Sequence, residues 1–477
     1  MVQPTSITIR SQLLDVEVHG TESDALALQR RLPGMCADVL WPALEAALAD
    51  VDPGDAHLSV ERLAIDLAEV PLDRLESELA AALRREVVDY FRRNPPVRFA
   101  GGDRAPQNVV RHRTEAETVE DALLVFLRTG RLPWSFRVPP EAHLEQLVLA
   151  TWGAADGDRA PPPAARARLR EILAQPAARA RLRKQFTPEF AITLLRTASP
   201  RLAASIKEVA AVLADPLVSA PARVAFMRRI RDAVFVAESS GREPGPAELL
   251  RIVWRMSESG EHGDPALAAA LERQWPRVTG LLETAPDPAE IAQAGPARSA
   301  KPRPATSGLE AEADGIIVDN AGIVLLHPFL PRLLEGLGAS DGTVLVDRTR
   351  ALCLIHYLAT GELTAPEYRL TLAKVICGVA LDEPVEADAG LTKAETDEAA
   401  ALLEAAIGHW EALRGTSPDA LRNEFLMRPG VLSADADGDW LLRVESRTVD
   451  ILLDQLPWGI SMIGLPWMSG LLRVQWR

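Results

Sequence analysis

Cys353 and His356 stand three residues apart in Ala351-Leu352-Cys353-Leu354-Ile355-His356. On a helix that spacing brings a thiol and an imidazole to one face, and Cys377 follows on the next helical stretch. Three such ligands with an open fourth position would suit zinc, and a thiol beside an imidazole is also the pairing that activates a cysteine nucleophile. Against both readings, the two cysteines sit among Leu, Ile, Val and Ala, where a free thiol behaves as a small hydrophobe. A second imidazole, His327, precedes Pro328 in Leu325-Leu326-His327-Pro328-Phe329-Leu330-Pro331. It could act as a base or cap the helix that the proline begins, and the sequence favours capping or a satisfied buried histidine.

Other reactive signatures are missing from the sequence. It contains no Gly-Lys-Ser/Thr phosphate loop, no Gly-x-Ser-x-Gly elbow and no His-Glu-x-x-His pair. With 67 acidic residues, adjacent carboxylates carry no information about acid-base chemistry. The reading is of a protein that is not an enzyme, with no cofactor, no metal and no evident small-molecule substrate. A hydrolase built on His327 or on Cys353 and His356 is the catalytic alternative.

These residues belong to a chain of 477 residues, longer than one ordinary core, and its 47% hydrophobic content can fill several. A formal charge of -15 opposes a phosphate backbone or an anionic membrane surface as the main partner. Three cysteines, none in a Cys-x-x-Cys pair, fit a reducing compartment. No apolar run is long enough to span a bilayer, and the N-terminus does not read as a signal peptide, so the expected location is cytoplasmic.

The expected fold is α+β and predominantly helical. Residues 1–95 read as a β-α-β-α unit: Leu14, Val16 and Val18, then Leu63, Ile65 and Leu67, alternate with period two, and a helical pattern follows each. Thr21 or Ser23 is placed to cap the first helix, which Pro33-Gly34 interrupts. Residues 96–285 read as a helical, Pro-rich middle, and its Arg-rich stretch 166–183 as a solvated face. Residues 286–312, rich in Pro and Ala, read as a linker. Residues 313–477 read as a mixed domain with helices near 328–337, 347–360, 366–377 and 395–413, and short strands near 440–445 and 471–476. One echo joins the middle to this domain: Leu123-Leu124 through Thr129-Gly130-Arg131-Leu132 repeats the spacing of Leu354-Ile355 through Thr360-Gly361-Glu362-Leu363. Convergent helix capping and duplication both account for it.

Near the end a motif is doubled, Leu456-Pro457-Trp458-Gly459 and Leu465-Pro466-Trp467-Met468, with Ile460-Ser461-Met462-Ile463 between. A stretch this apolar must be buried or held for a partner. Burial of Trp458 and Trp467 against the terminal strands is the favoured outcome, with a partner-facing role the other.

The ordered set of Gly322 to Pro331 with His327-Pro328-Phe329, Tyr357 to Gly361, Lys374 to Gly378, His409-Trp410, Leu421-Arg422 with Phe425-Leu426, and Leu452 to Ile463 resembles the contractile injection system tape measure protein family. Ala27 to Leu32 and Glu61 to Leu67 resemble its N-terminal part. The resemblance implies a structural or assembly component of a phage-tail-like particle that sets inner-tube length. It also implies protein partners (inner tube, baseplate or cap), incorporation into the particle, and no catalytic residues. His327, Pro328, Phe329, Gly361, Trp410, Pro457, Trp458, Gly459, Pro466 and Trp467 are the candidate structural or interaction residues. An assembly chaperone or adaptor that leaves the particle is the alternative. As one continuous helix the chain would span roughly 700 Å at 1.5 Å per residue. Its 36 prolines and lack of sustained heptads argue instead for short folded modules or a compact factor.

Overall fold

In the computed structural model the described residues are 7, 9, 12–51, 56–60, 62–67, 69–72, 74–95, 97–98, 110–139, 142–152, 163–198, 200–239, 244–255, 265–275, 315–434 and 439–476. The stretch 286–312 expected as a linker lies outside them. The fold is predominantly helical α+β, and the chain divides into two compact units.

One unit comprises Met1–Asp121 with Trp134–Glu141. Helix α1 (Glu22–Met35) opens on a capping box, in which Thr21 accepts from the Asp24 N–H and Asp24 accepts from the Thr21 N–H. Pro33 stays inside α1; a π-helical turn at Cys36–Leu40 follows and leads into α2 (Trp41–Ala49). A proline removes one backbone donor without forbidding a helix near its end, and a wide turn accommodates the missing bond. After β1 (Ala56–Ser59), α3 (Leu75–Arg93) packs on α2, with Leu79, Leu83, Val87 and Tyr90 buried at helical spacing. Strands β2 (Val97–Arg98) and β3 (Arg111–Thr114) complete a sheet of order β1-β3-β2, with β1 antiparallel and β2 parallel to β3. The alternating segments 14–18 and 63–67 carry no strand ladder among the described residues. Val18, Ile65 and Leu67 nonetheless reach the core, whereas Leu13 is 90% exposed. Period-two patterning reports which face is buried, and pairing is a separate matter.

The other unit comprises Ala122–Pro133 and Ala142–Arg477. Its first part is a run of short helices: the C-terminal half of α4 (Glu115–Thr129), α5 (Leu144–Trp152), α6 (Pro163–Leu173), α7 (Pro176–Gln185), α8 (Pro188–Ala198), α9 (Pro200–Ala210), α10 (Ala220–Ser239), α11 (Pro246–Arg255) and α12 (Pro265–Gln274). Six of them start at proline, which suits the first turn because its missing N–H would be unpaired there anyway.

Beyond residue 314, β4 (Ile316–Val318) is followed by a 3₁₀ segment at Ala321–Leu326. Helices α13 (Leu330–Gly336), α14 (Arg348–Thr360), α15 (Thr371–Ile376), α16 (Lys393–His409) and α17 (Pro418–Leu421) then precede four strands: β5 (Gly430–Ala434), β6 (Trp440–Val444), β7 (Met462–Ile463) and β8 (Leu472–Trp476). The sheet order is β4-β5-β6-β8-β7, antiparallel except for the parallel pair β6/β8, in which Leu442 faces Val474. One core joins helices and sheet through Leu330, Leu352, Leu358, Leu372, Leu403, Leu432, Leu442 and Leu472, each at most 1% exposed.

Candidate functional site

The two Leu-Pro-Trp units act as anchors for the chain that leads into β8. Each proline lies at the surface while its tryptophan turns inward and is half-buried. Trp458 Nε1 donates to the Leu325 carbonyl at 3.0 Å, and Trp467 Nε1 donates to the Ile376 carbonyl at 2.9 Å. The indoles thus close carbonyls at the ends of the 3₁₀ segment 321–326 and of α15, and both rings pack against the core that the helices share with the sheet. Gly459 is exposed, with open space over its Cα. Gly378, at φ +62, lets the Trp467 backbone approach: a Cβ there would lie 2.8 Å from the Trp467 carbonyl oxygen.

Phe329 links this tail to the helices, meeting Trp458 edge-on at 5.2 Å and lying tilted over His409 at 6.1 Å. Pro328 is exposed, and Leu330, with Pro331 after it, begins α13. His327 closes the preceding 3₁₀ segment, with Nδ1 2.9 Å from the Val324 carbonyl. Burial lowers its pKa and that hydrogen bond only partly offsets the shift. Trp410, 2% exposed, donates to the Leu452 carbonyl at 3.1 Å and stacks edge-on against Phe425 at 4.9 Å.

A buried ion pair fastens the end of the sheet. Arg428 Nη1 lies 2.7 Å from Asp450 Oδ1, and Asp450 Oδ2 accepts from Arg428 Nη2 and from Trp476 Nε1, both at 3.1 Å. The guanidinium carbon of Arg428 sits 5.5 Å from the centre of the Trp476 ring. Burial alone would raise the Asp450 carboxyl; these donors and the Arg447 N–H outweigh it and hold the pKa below the usual value.

The Thr-Gly echo marks two helix ends built alike. Gly130 and Gly361 take φ +76 and +77, and their N–H groups close on Phe126 and Tyr357 at 2.7 and 2.8 Å. Thr129 and Thr360 each bond back to the carbonyl four residues earlier. An arginine caps each end at the same position: Arg181 Nη1 donates to the Leu127 carbonyl and Arg422 Nε to the Leu358 carbonyl, both at 3.1 Å. At the first end Arg181 Nε also pairs with Glu367 Oε1 at 3.1 Å, and Lys374 Nζ reaches the same oxygen at 2.7 Å. Arg181 and Glu367 side chains are fully buried. Lys184 and Gln185 extend this contact, donating to the Pro384 and Val385 carbonyls at 3.0 and 2.8 Å, and Gln185 Oε1 accepts from the Glu367 N–H at 2.8 Å.

The thiol and imidazole candidates are enclosed in the core. Cys353 and His356 are wholly buried, and burial pushes the Cys353 thiol up to about 11 and the Cys377 thiol higher still. A thiolate is disfavoured there. His356 Nε2 is 3.7 Å from Glu362 Oε2, outside hydrogen-bond reach. Among the described residues no group of three or more His, Cys, Asp or Glu side chains converges as metal ligands.

Sequence reading overlooked Arg181, Glu367, Lys374, Arg428 and Asp450, because a lone charged residue in a helix reads as solvated. A signal for the first two was present. After Thr129-Gly130 and Thr360-Gly361 come Pro140-Glu141-Ala142-His143-Leu144 and Pro366-Glu367-Tyr368-Arg369-Leu370, and later Leu182-Arg183-Lys184-Gln185-Phe186 and Leu421-Arg422-Asn423-Glu424-Phe425. A third Leu-Pro-Trp, at 132–134, follows the first Thr-Gly. The two ends are not in exact register, since the capping arginine of the first is Arg181 while the sequence counterpart of Arg422 is Arg183.

Comparison with known proteins gives one result that covers nearly the whole chain. Residues 5–476 match the family model described as contractile injection system tape measure protein. Neither the curated proteins nor the solved structures yield a match. A match of this extent takes in both compact units, the Thr-Gly helix ends and the tryptophan anchors, and the chain belongs to the contractile injection system tape measure protein family, a family of structural and assembly components.

Proposed function

We propose that this chain works in the assembly of a contractile particle, setting the length of its inner tube as a series of folded modules rather than as one extended helix. The family match over residues 5–476 carries the reading. Its form is supported by helix length: α10, at 20 residues, spans about 30 Å, far short of a tube-long rod. The buried Arg181–Glu367 contact likewise favours packed modules over a drawn-out filament.

In this reading the partners are protein surfaces of the tube, baseplate or cap, the site of action is the cytoplasm and then the particle, and the chain carries out no catalysis. Stretch 286–312, a linker by composition, is the place to change the length of the chain. Lengthening and shortening it in steps should shift tube length in the same direction, measured by electron microscopy of purified particles. Unchanged length in particles that still assemble would overturn the ruler role. Unfired particles should also contain the chain, and its absence from them would point to a chaperone that departs.

A further inference from the structure

We propose that the small cavity where the end of β4, α14 and the turn before α15 meet is a binding site for a single water molecule, which bridges the Asn320 amide to the His356 ring. This inference concerns the C-terminal helices and sheet and does not depend on the ruler reading.

Two buried polar side chains line this cavity. His356 is 0% exposed and Asn320 4%, and Thr360, Tyr368, Arg369 and Thr371 complete much of the wall. Among the described residues neither ring nitrogen of His356 has a hydrogen-bond partner, and neither has Asn320 Nδ2. The Glu362 carboxylate stops 3.7 Å from His356 Nε2 and is held by Arg369 at 2.7 Å. Polar groups buried in this way cost folding free energy, and an apolar side chain would avoid the cost.

The other Thr-Gly helix end shows that the position accepts an apolar side chain. The counterpart of His356 there is Val125, and both carbonyls take a bond from the threonine four residues on. A helix end of this kind is thus built without a histidine, and the imidazole answers to something in the cavity.

Size and charge choose the occupant. The cavity holds about 20 Å³, where about 10–15 Å³ suffices for one water, so an organic ligand is too large. Asn320 Nδ2 and the Arg369 guanidinium are donors and oppose a cation, while Asp319 in the wall and Glu362 beside His356 oppose an anion. A water accepts from Asn320 Nδ2, donates to the unprotonated ring nitrogen of His356, and so meets both needs at once. It ties the chain leaving β4 to the body of α14.

Crystals of the full chain, at a resolution that shows ordered water, test the site directly. A density peak within about 3.2 Å of both Asn320 Nδ2 and a His356 ring nitrogen is expected. No peak there, or a bromide peak at that position in crystals soaked in bromide, would overturn the proposal. Urea unfolding of the full chain tests the bridge in solution. His356→Leu should lower the midpoint when Asn320 is present, because it strands the water and the amide, and should shift it clearly less in an Asn320→Ala background. An equal shift in both backgrounds, or a raised midpoint for His356→Leu alone, would overturn the bridge. The crystallographic arm uses the unaltered chain and so decides the matter even where a variant does not fold.

Discussion

Arg181 and Glu367 lie 186 residues apart in sequence and meet at 3.1 Å with both side chains fully buried. Breaking a buried pair leaves a charge without compensation, which costs about 3–5 kcal/mol. Glu367→Ala strands both Arg181 and Lys374, so it should destabilise the protein by that order. The loss should appear as a lower urea midpoint in the unit that contains α7 and α15. If the midpoint moves by less than the width of a surface-mutation effect, the pair is not what holds these helices together.

Gly130→Ala and Gly361→Ala form a matched comparison. Each forces a side chain into the left-handed region, at about 1–2 kcal/mol. At Gly130 the new methyl also meets the Glu367 carboxylate, while at Gly361 the guanidinium stands at ordinary contact distance. Gly130→Ala should therefore be clearly the more damaging of the two in thermal unfolding, and equal losses would contradict the close approach at Gly130.

The tryptophan anchors predict a graded series. Trp458→Phe and Trp467→Phe keep most of the apolar contact and lose one hydrogen bond each, to Leu325 and Ile376, for about 1 kcal/mol apiece. Trp410→Ala removes a buried ring and should cost about 3–5 kcal/mol. Chemical denaturation followed by intrinsic fluorescence would read the whole series.

Acid sensitivity should centre on Asp450. Its carboxyl is held below the ordinary 3.8 in the folded protein, where the donated hydrogen bonds outweigh burial. A carboxyl with a lowered folded value contributes stability that is full above the unfolded value and is lost as the pH falls through the folded one. Stability from this group should thus be level above about pH 5 and decline below pH 4. Asp450→Asn should be less stable at pH 7 and show a shallower acid decline, measured by urea unfolding across that range.

Much of the fold was legible because burial imposes a period. Leu79, Leu83 and Val87 repeat every four residues and form the buried face of α3; Leu442 and Leu472 fall on strands where alternation placed them. Pairing was less legible. Leu14 and Val16 alternate like a strand yet carry no ladder among the described residues, because a partner strand is a property of the whole fold. The candidate site was read through its aromatic residues, whose cost in water advertises them. Its charged members stayed hidden: Arg181 in Arg179-Ala180-Arg181-Leu182 is indistinguishable from a solvated arginine until Glu367 is seen against it. The Pro-Glu that follows both Thr129-Gly130 and Thr360-Gly361 was the one cue that could have linked them.

The place of β8 in the sheet orders events in time. It lies between β6 and β7 and is reached only after Asp450, Trp458 and Trp467 have been laid down. During synthesis β4, β5 and β6 can pair with one another, but β6 exposes an unmet edge until residues 472–476 leave the ribosome. Trp476 then completes the Asp450 cluster. A product truncated before Leu472 would keep that edge open, a ready template for pairing with another chain.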